Sequence, residues 1–410
     1  MGTTGTTVLN TRVKESEPTS LLHDFTALHH TNVFSRAFSF GADQLPATTE
    51  KGTQIADRVL LAGDTGFIFQ LYERELKVPA KTGDIEKWVS GQVVKKGVRR
   101  IQATRELLAS YSALSVVNHF GHRITVTARN PDALIGVVVY RVPPKTKPVR
   151  AARFKQNRNG GFVHILRDVD YFEICQHFVS PTELADYFAF RRDMLVGWDP
   201  PTTAVSERAL IGQYLLEDFS SPPSSSLERA ARSRGGATAS EFSFVLDSLG
   251  ADIARLEDDS AEEEHHEEDW PAGEDSYAIM SELAGLSRYE LRALKDLFRN
   301  ALDAVRANRF ELPFRITSSR TGCGFLILPV MRDFQDRAFE ALESLSIASK
   351  HELALPKQVG VGMWKEGEFV DMEWIYLAGE NTPQPDIDAR LAQSYPFRLA
   401  SDRRLPPIFT

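Results

Sequence analysis

Cysteine is nearly absent. Cys175 and Cys323 are the only two in 410 residues, too few for a zinc site by themselves and far apart in sequence. This excludes a disulfide-stapled scaffold and predicts a reducing, cytoplasmic setting. Long apolar runs are missing as well, and none reaches the roughly 18 residues a membrane-spanning helix needs. The first stretch, MGTTGTTVLNT, is polar and lacks the apolar segment of a signal peptide, so no membrane association is expected. No internal repeat stands out. A nucleotide-binding phosphate loop is also lacking. Asn159-Gly160-Gly161 is not followed by the Lys-Ser/Thr such a loop requires, and it reads as a turn.

What is present is an ordinary globular composition with uneven charge. At 410 residues the chain is long enough for two or three domains with their own cores, and 42% hydrophobic and 25% charged are ordinary globular values. The net charge of −8 hides a strong asymmetry: residues 76–160 carry 17 Lys/Arg against 4 Asp/Glu, whereas residues 257–269 carry nine acids and no Lys or Arg. A basic half of this kind suits a phosphate backbone. The acidic block, with His265 and His266 inside it, reads as a solvated tract, or alternatively as an internal competitor with nucleic acid for the basic half.

The stretch around QIADRVLLAGDTGFIFQLYERE organises the chain. Residues 58–61 and 67–71 are β-branched and aliphatic or aromatic runs, and Ala62-Gly-Asp-Thr-Gly66 between them is turn chemistry, which predicts a β-hairpin. Asp57 and residues 70–72 then return to the same end of that hairpin. An acid there, with a polar group one strand away, suits a divalent cation held through oxygen ligands. The alternative is that Asp57 caps a strand end and Gln70 is one polar residue on a half-buried strand.

Along the chain, residues 1–20 read as a disordered tail. Residues 21–37 predict a helix, on which His29 and His30 point to different sides, so with His23 they read as core-edge or solvated histidines rather than a metal cluster. A long helix is expected over 84–109. Val94, Val98, Ile101 and Leu108 lie on one side of it, and Lys95, Lys96, Arg99 and Arg100 project elsewhere. The basic excess continues through Arg141, Lys145, Lys147, Arg150, Arg153, Lys155 and Arg158, partly on a proline-rich loop. Residues 123–127 and 133–142 are expected to continue the sheet, and residues 162–166 form another strand. Ser180-Pro-Thr-Glu183 is a capping box opening a helix, and 205–216 is a further helix. Residues 220–275 are low-complexity and acidic, a linker in which 242–256 is either a docked helix or part of the linker. Ser287-Arg-Tyr-Glu290 opens a strong amphipathic helix, followed by strands near 314–316 and 324–330, a helix near 333–349 and a closing hairpin over 358–377. The division is therefore a tail at 1–20, an α/β domain at 21–219, a linker at 220–275 and a small α+β domain at 276–410. Cys323 reads as a small residue at a strand start.

In the order of four segments, the N-terminal half resembles a bacterial branch of the PD-(D/E)xK and nuclease-related-domain superfamily. The segments are Gly52-Thr-Gln-Ile-Ala-Asp57, the hairpin to Phe69-Gln-Leu-Tyr-Glu73, the helix from Trp88 to Gln102, and Phe162-Val-His-Ile-Leu166 followed by Glu183-Leu-Ala-Asp-Tyr187. The resemblance implies a restriction-endonuclease-like domain, a mixed sheet flanked by helices, and metal-dependent phosphodiester hydrolysis of DNA or RNA with Mg²⁺ or Mn²⁺. Phage defence or DNA repair is the setting it suggests. Asp57 falls on the metal-binding Asp, and Gln70 on the Asp/Glu position, where Gln is an accepted variant. Gln54 falls where relatives tend to have Glu. Tyr72 falls on the lysine that orients the attacking water and offsets phosphate charge. A phenol is neutral at pH 7 and cannot replace that charge. Within the resemblance, Lys95 or Lys96 supplies it from the following helix, and Glu73 supplies a second carboxylate if a bulge re-aims the strand. Arg99, Arg100, Lys145, Lys147, Arg150, Arg153 and Lys155 are the expected nucleic-acid contacts. The alternative is a degenerate module that binds nucleic acid without cutting it, or that recruits a protein partner or oligomerises through the C-terminal domain.

Overall fold

The computed structural model describes residues 20–41, 44–45, 55–74, 82–127, 133–143, 151–156, 161–197, 205–217, 224–234, 245–246, 249–250, 253, 273–380 and 385–397. Gln54, Lys145, Lys147, Arg150, Arg158 and the acidic block at 257–269 lie outside the described residues.

The Ser20 side chain accepts from the His23 N–H and opens α1 (Leu21–His30). Asn32 does the same for Ser35 and opens α2 (Val33–Phe38). The single helix expected over 21–37 is thus two, because Asn32 satisfies the free N–H groups of a new helix instead of continuing the old one. β1 (Ser39–Gly41) pairs antiparallel with β2 (Arg58–Ala62), and β2 pairs antiparallel with β3 (Thr65–Glu73). The β2–β3 hairpin turns over Gly63 and Asp64, with Gly63 at φ +50°, where a glycine is at ease. The rod that follows covers the expected helix. It runs as α3 (Thr82–Trp88), a π-helical stretch over Val89–Lys96, and α4 (Gly97–Ala109).

β4 (Ala113–Val117) and β5 (Arg123–Thr127) form a separate two-stranded ribbon. Residues 123–127 therefore do not continue the main sheet. The Asn118 carboxamide oxygen accepts from the N–H groups of Phe120 and His122 and closes the chain locally on itself. The main sheet resumes with β6 (Leu134–Arg141), β7 (Phe154–Gln156) and β8 (Phe162–Arg167), giving the order β1-β2-β3-β6-β8-β7. β3, β6 and β8 are parallel, whereas β1, β2 and β7 run against their neighbours. Four helices follow: α5 (Asp168–His177), α6 (Pro181–Gly197), α7 (Glu207–Leu216) and α8 (Glu228–Arg234). At the start of α6 the capping box forms: Ser180 Oγ accepts from the Glu183 N–H at 3.1 Å, and Glu183 Oε2 accepts from the Ser180 N–H at 3.4 Å.

The C-terminal part contains α9 (Gly273–Ala284), α10 (Arg288–Arg306), β9 (Phe314–Thr317), β10 (Cys323–Pro329), α11 (Ala338–Glu352), β11 (Lys357–Glu366), β12 (Phe369–Ala378) and α12 (Pro385–Gln393). Its sheet has the order β12-β11-β10-β9, with β10 and β11 parallel and the outer pairs antiparallel. Ser287 and Glu290 cap α10 reciprocally, and Leu294, Phe298, Ala301 and Val305 give it a buried stripe. The protein is a mixed α/β structure with two mixed sheets.

Strand alternation assigns each face of the main sheet to a different helical layer. Val59, Leu61, Ile68, Val138 and Ile165 pack on Ile85, Val93 and Ile101 of the α3–α4 rod. Leu60, Phe67, Phe69, Val137 and Val139 face the layer of α1 and α5–α7, with Phe25, Tyr171 and Phe188. This second core runs on without interruption into the C-terminal part, through Leu283, Phe298, Phe325 and Val361. Val245, Leu246, Leu249 and Ile253 are buried in it too, with the four-residue spacing of a docked helix. The far face of the second sheet has its own smaller core around Leu326, Leu342 and Trp364. Both cysteines lie under this packing: Cys323 is buried at the start of β10, and half-buried Cys175 lies against Tyr171, with burial pushing both thiols up.

Candidate functional site

Asp57 stands just before β2, at the carboxyl end of β3. Its N–H donates to the Phe69 carbonyl at 3.0 Å and extends the hairpin by one bond. The preceding residue is tied to the rod: Ala56 N–H donates to Thr104 Oγ1 at 2.8 Å, and that hydroxyl donates to the Arg100 carbonyl at 2.9 Å. Asp57 Oδ2 accepts from the Leu71 N–H at 2.7 Å and from Gln70 Nε2 at 2.5 Å. Gln70 is fully buried, and its Nε2 also donates to the Leu71 carbonyl, which turns its Oε1 away from solvent and leaves it without a partner among the described residues. The hairpin thus brings together the two residues the sequence singled out, although they meet as hydrogen-bond partners.

Burial raises the Asp57 carboxyl, against the opposing pull of the Leu71 N–H, Arg100 and Arg58. The cation that reaches this carboxylate from the rod is therefore Arg100. Its guanidinium lies over the Tyr72 ring, 5.8 Å from the centroid. Tyr72 is half-buried, its hydroxyl is enclosed without a partner among the described residues, and burial pushes it further toward the neutral phenol. Gly97 lets the rod come this close to the sheet. A Cβ there would stand 2.9 Å from Val138 Cγ2 and 3.2 Å from Tyr72 Cε2. Lys95, Lys96 and Arg99 are exposed on the same rod.

Other expected site residues lie elsewhere. Glu73 belongs to the opposite face of β3: its carboxylate accepts from the Leu21 N–H at 2.8 Å, capping α1, and lies 3.8 Å from Arg141. Arg141 in turn binds Asp168 at 2.6 Å and Asp24 at 2.7 Å, tying β6 to α5 and α1. Alternation along the strand, with no bulge, keeps Glu73 away from Asp57. Arg153 is not a surface cation. It donates to Glu207 at 2.6 Å and to the Val205 carbonyl at 2.6 Å, which takes its charge into the structure. Lys155 is exposed on β7, three strands away from β3 at the far edge of the sheet.

The residues present do not fit a preformed Mg²⁺ or Mn²⁺ site. Such ions take six oxygen ligands and are usually anchored by one or two carboxylates. Here one carboxylate is available, one of its oxygens is already committed to two N–H donors, and the second acid sits across the sheet. Among the described residues, the enclosed Gln70 Oε1 is the further oxygen that geometry recommends. Among the described residues, no group of three His, Cys, Asp or Glu side chains is placed to hold a metal ion.

A buried polar cluster has no counterpart among the residues singled out from the sequence. Arg191, fully buried on α6, donates from Nε to Glu207 Oε1 at 2.7 Å and from Nη2 to Glu207 Oε2 at 3.1 Å. Tyr187 donates its hydroxyl to the same carboxylate at 2.5 Å, and Arg191 Nη1 lies 3.0 Å from His164 Nδ1. Residues 16 apart across a loop carry no periodic signal, so only the three-dimensional packing pairs them. No protein-family model matches this chain, and comparison with curated proteins and with solved structures finds no match either, so its functional reading stands on its own geometry.

Proposed function

We propose that this protein binds nucleic acid on a nuclease-like frame and does not cut it. One observation carries the reading: a single helical rod presents Lys95, Lys96 and Arg99 to solvent and turns Arg100 inward over Tyr72, toward the Asp57 carboxylate, whose pKa burial raises. Exposed cations along one helix suit successive backbone phosphates, whose neutralisation releases counterions. A neutral phenol at the position where the resemblance implies a lysine supplies no charge to a leaving group. The likeness to restriction-endonuclease-like proteins belongs to this reading as well.

Salt-dependent binding tests it. Affinity for single- or double-stranded DNA or RNA should fall as salt rises, and Ala at Lys95, Lys96 or Arg99 should each lower the slope by about 1, uniformly across sequences. Affinity that ignores salt, or that survives all three substitutions, overturns the reading.

Metal-dependent hydrolysis is the second reading, favoured by the enclosed Gln70 Oε1 beside Asp57. Incubating the same nucleic acids with Mg²⁺ or Mn²⁺ separates the two. No cleavage beyond that of Asp57→Ala is expected; cutting by the wild type that vanishes in Asp57→Ala would install the hydrolytic reading.

A further inference from the structure

At the amino ends of β6 and β8, away from Asp57, the sheet opens into a cleft of about 560 Å³. Its volume falls within the range of small-molecule sites, roughly 300–1,000 Å³. Three side chains give it a polar wall. Arg105, only 5% exposed, reaches from α4 round the sheet end and donates Nη2 to the Leu134 carbonyl at 2.7 Å and the Phe162 carbonyl at 3.0 Å. Gly161 leaves room for that guanidinium, since a Cβ there would stand 3.0 Å from Arg105 Nη1. Arg192 stands half-exposed at the rim, paired with Asp193 at 2.8 Å.

His164, 3% exposed, is the third member. Its Nδ1 faces Arg191 Nη1, and a guanidinium can only donate, so Nδ1 accepts and the ring proton sits on Nε2. That N–H has no partner among the described residues, on a ring that lines the cleft. Burial, reinforced by Arg191, Arg192 and Arg105, holds the imidazole well below its usual titration range, so it contributes a neutral donor while the arginines contribute charge. Half-buried Phe162, whose ring meets the His164 ring edge-on at 4.7 Å, and exposed Val196 also line the cleft.

We propose that the cleft binds a small organic anion with a planar ring, its phosphate or carboxylate facing Arg105, Arg192 and the His164 Nε2–H and its ring facing Phe162 and Val196. The cleft shares no residue with the Asp57 site, so binding there is independent of nucleic-acid binding by the rod.

Calorimetric titration of the full chain tests it with three kinds of probe: adenosine and cytidine 5′-monophosphates, benzoate and indole-3-acetate, and inorganic phosphate. Saturable binding of a ring-bearing anion is expected, tighter than that of inorganic phosphate, and the better of the two ring-bearing classes identifies the head group. The His164 Nε2 proton resonance should move on titration. Arg192→Met should weaken binding about tenfold, the usual worth of one charge-assisted hydrogen bond. Val196→Trp should block the cleft and abolish binding. Both substitutions are at solvent-facing positions, and an unchanged melting temperature establishes that the variants are folded. The proposal is overturned if no ring-bearing probe saturates at millimolar concentration, if inorganic phosphate binds as tightly, or if folded Val196→Trp binds like the wild type.

Discussion

Among the described residues, Arg191 is the largest side chain enclosed completely, and its charge is answered by Glu207. Burial alone would raise the Glu207 carboxyl, but Arg191 and Arg153 hold it at about 2. An acid depressed in the folded state contributes stability that is full above its unfolded value, near ~4.3, and is lost as pH falls through the folded one. Glu207→Gln leaves a buried guanidinium without its counter-charge, and urea unfolding at pH 7 should register a loss of about 3–5 kcal/mol. The gap between wild type and variant should narrow as the pH is taken from about 5 toward 2. A gap that stays constant with pH would show that shape, rather than charge, holds the cluster together. Asp57 and Gln70 were legible as neighbours because a tight turn sets the register of a hairpin, and register sets which side chains meet. Arg191 was not, because an arginine near a helix end reads as solvated until its partner on the next helix is known.

Among the elements, those with a local chemical signature were readable: the β2–β3 turn, the Ser180 and Ser287 capping boxes, and the β11–β12 hairpin with Gly367 at φ +62°. The π-helical stretch at Val89–Lys96 was not, since the apolar spacing there is compatible with an ordinary helix. Nor was the β4–β5 ribbon, whose independence depends on the Asn118 side chain closing its turn. Close approach between elements leaves a sharper trace in glycine. On α7, a Cβ at Gly212 would lie 2.0 Å from the Leu227 carbonyl oxygen, and backbone cannot swing aside as a side-chain tip can. Gly212→Ala should therefore cost about 1–3 kcal/mol in a thermal or urea melt. Gly83→Ala on α3 meets nothing within 4 Å and should be neutral or mildly stabilising. Equal losses at the two positions would mean that helix propensity, and not the α7–α8 contact, governs Gly212.

At the scale of the molecule, one core joins the six-stranded and four-stranded sheets. The composition shift near 220–275 suggested a linker between separately cored domains, yet Phe67, Phe188, Leu249, Leu283, Phe298 and Val361 belong to one buried cluster. Long-range packing of this kind is invisible to periodicity, which reports the face an element buries and not its companion. Polar contacts join the same parts: the Tyr277 hydroxyl lies 2.6 Å from Asn118 Nδ2 and 2.8 Å from His122 Nδ1, and Arg320 pairs with Asp186 at 3.0 Å. Tryptophan fluorescence and far-ultraviolet dichroism should accordingly trace one urea transition, and Tyr277→Phe should shift its midpoint to lower urea without splitting it, at a cost of about 1–3 kcal/mol. Two resolved transitions would mean that the halves open separately despite their common core. The scarcity of cysteine gives a way to time that opening. Cys175 lies beneath the first sheet and Cys323 begins a strand of the second, so each is a chemical clock for its own half. A thiol reagent that reaches both at the same slow rate would report one gate for the whole protein, and a faster tick at either would reveal which half lets water in first.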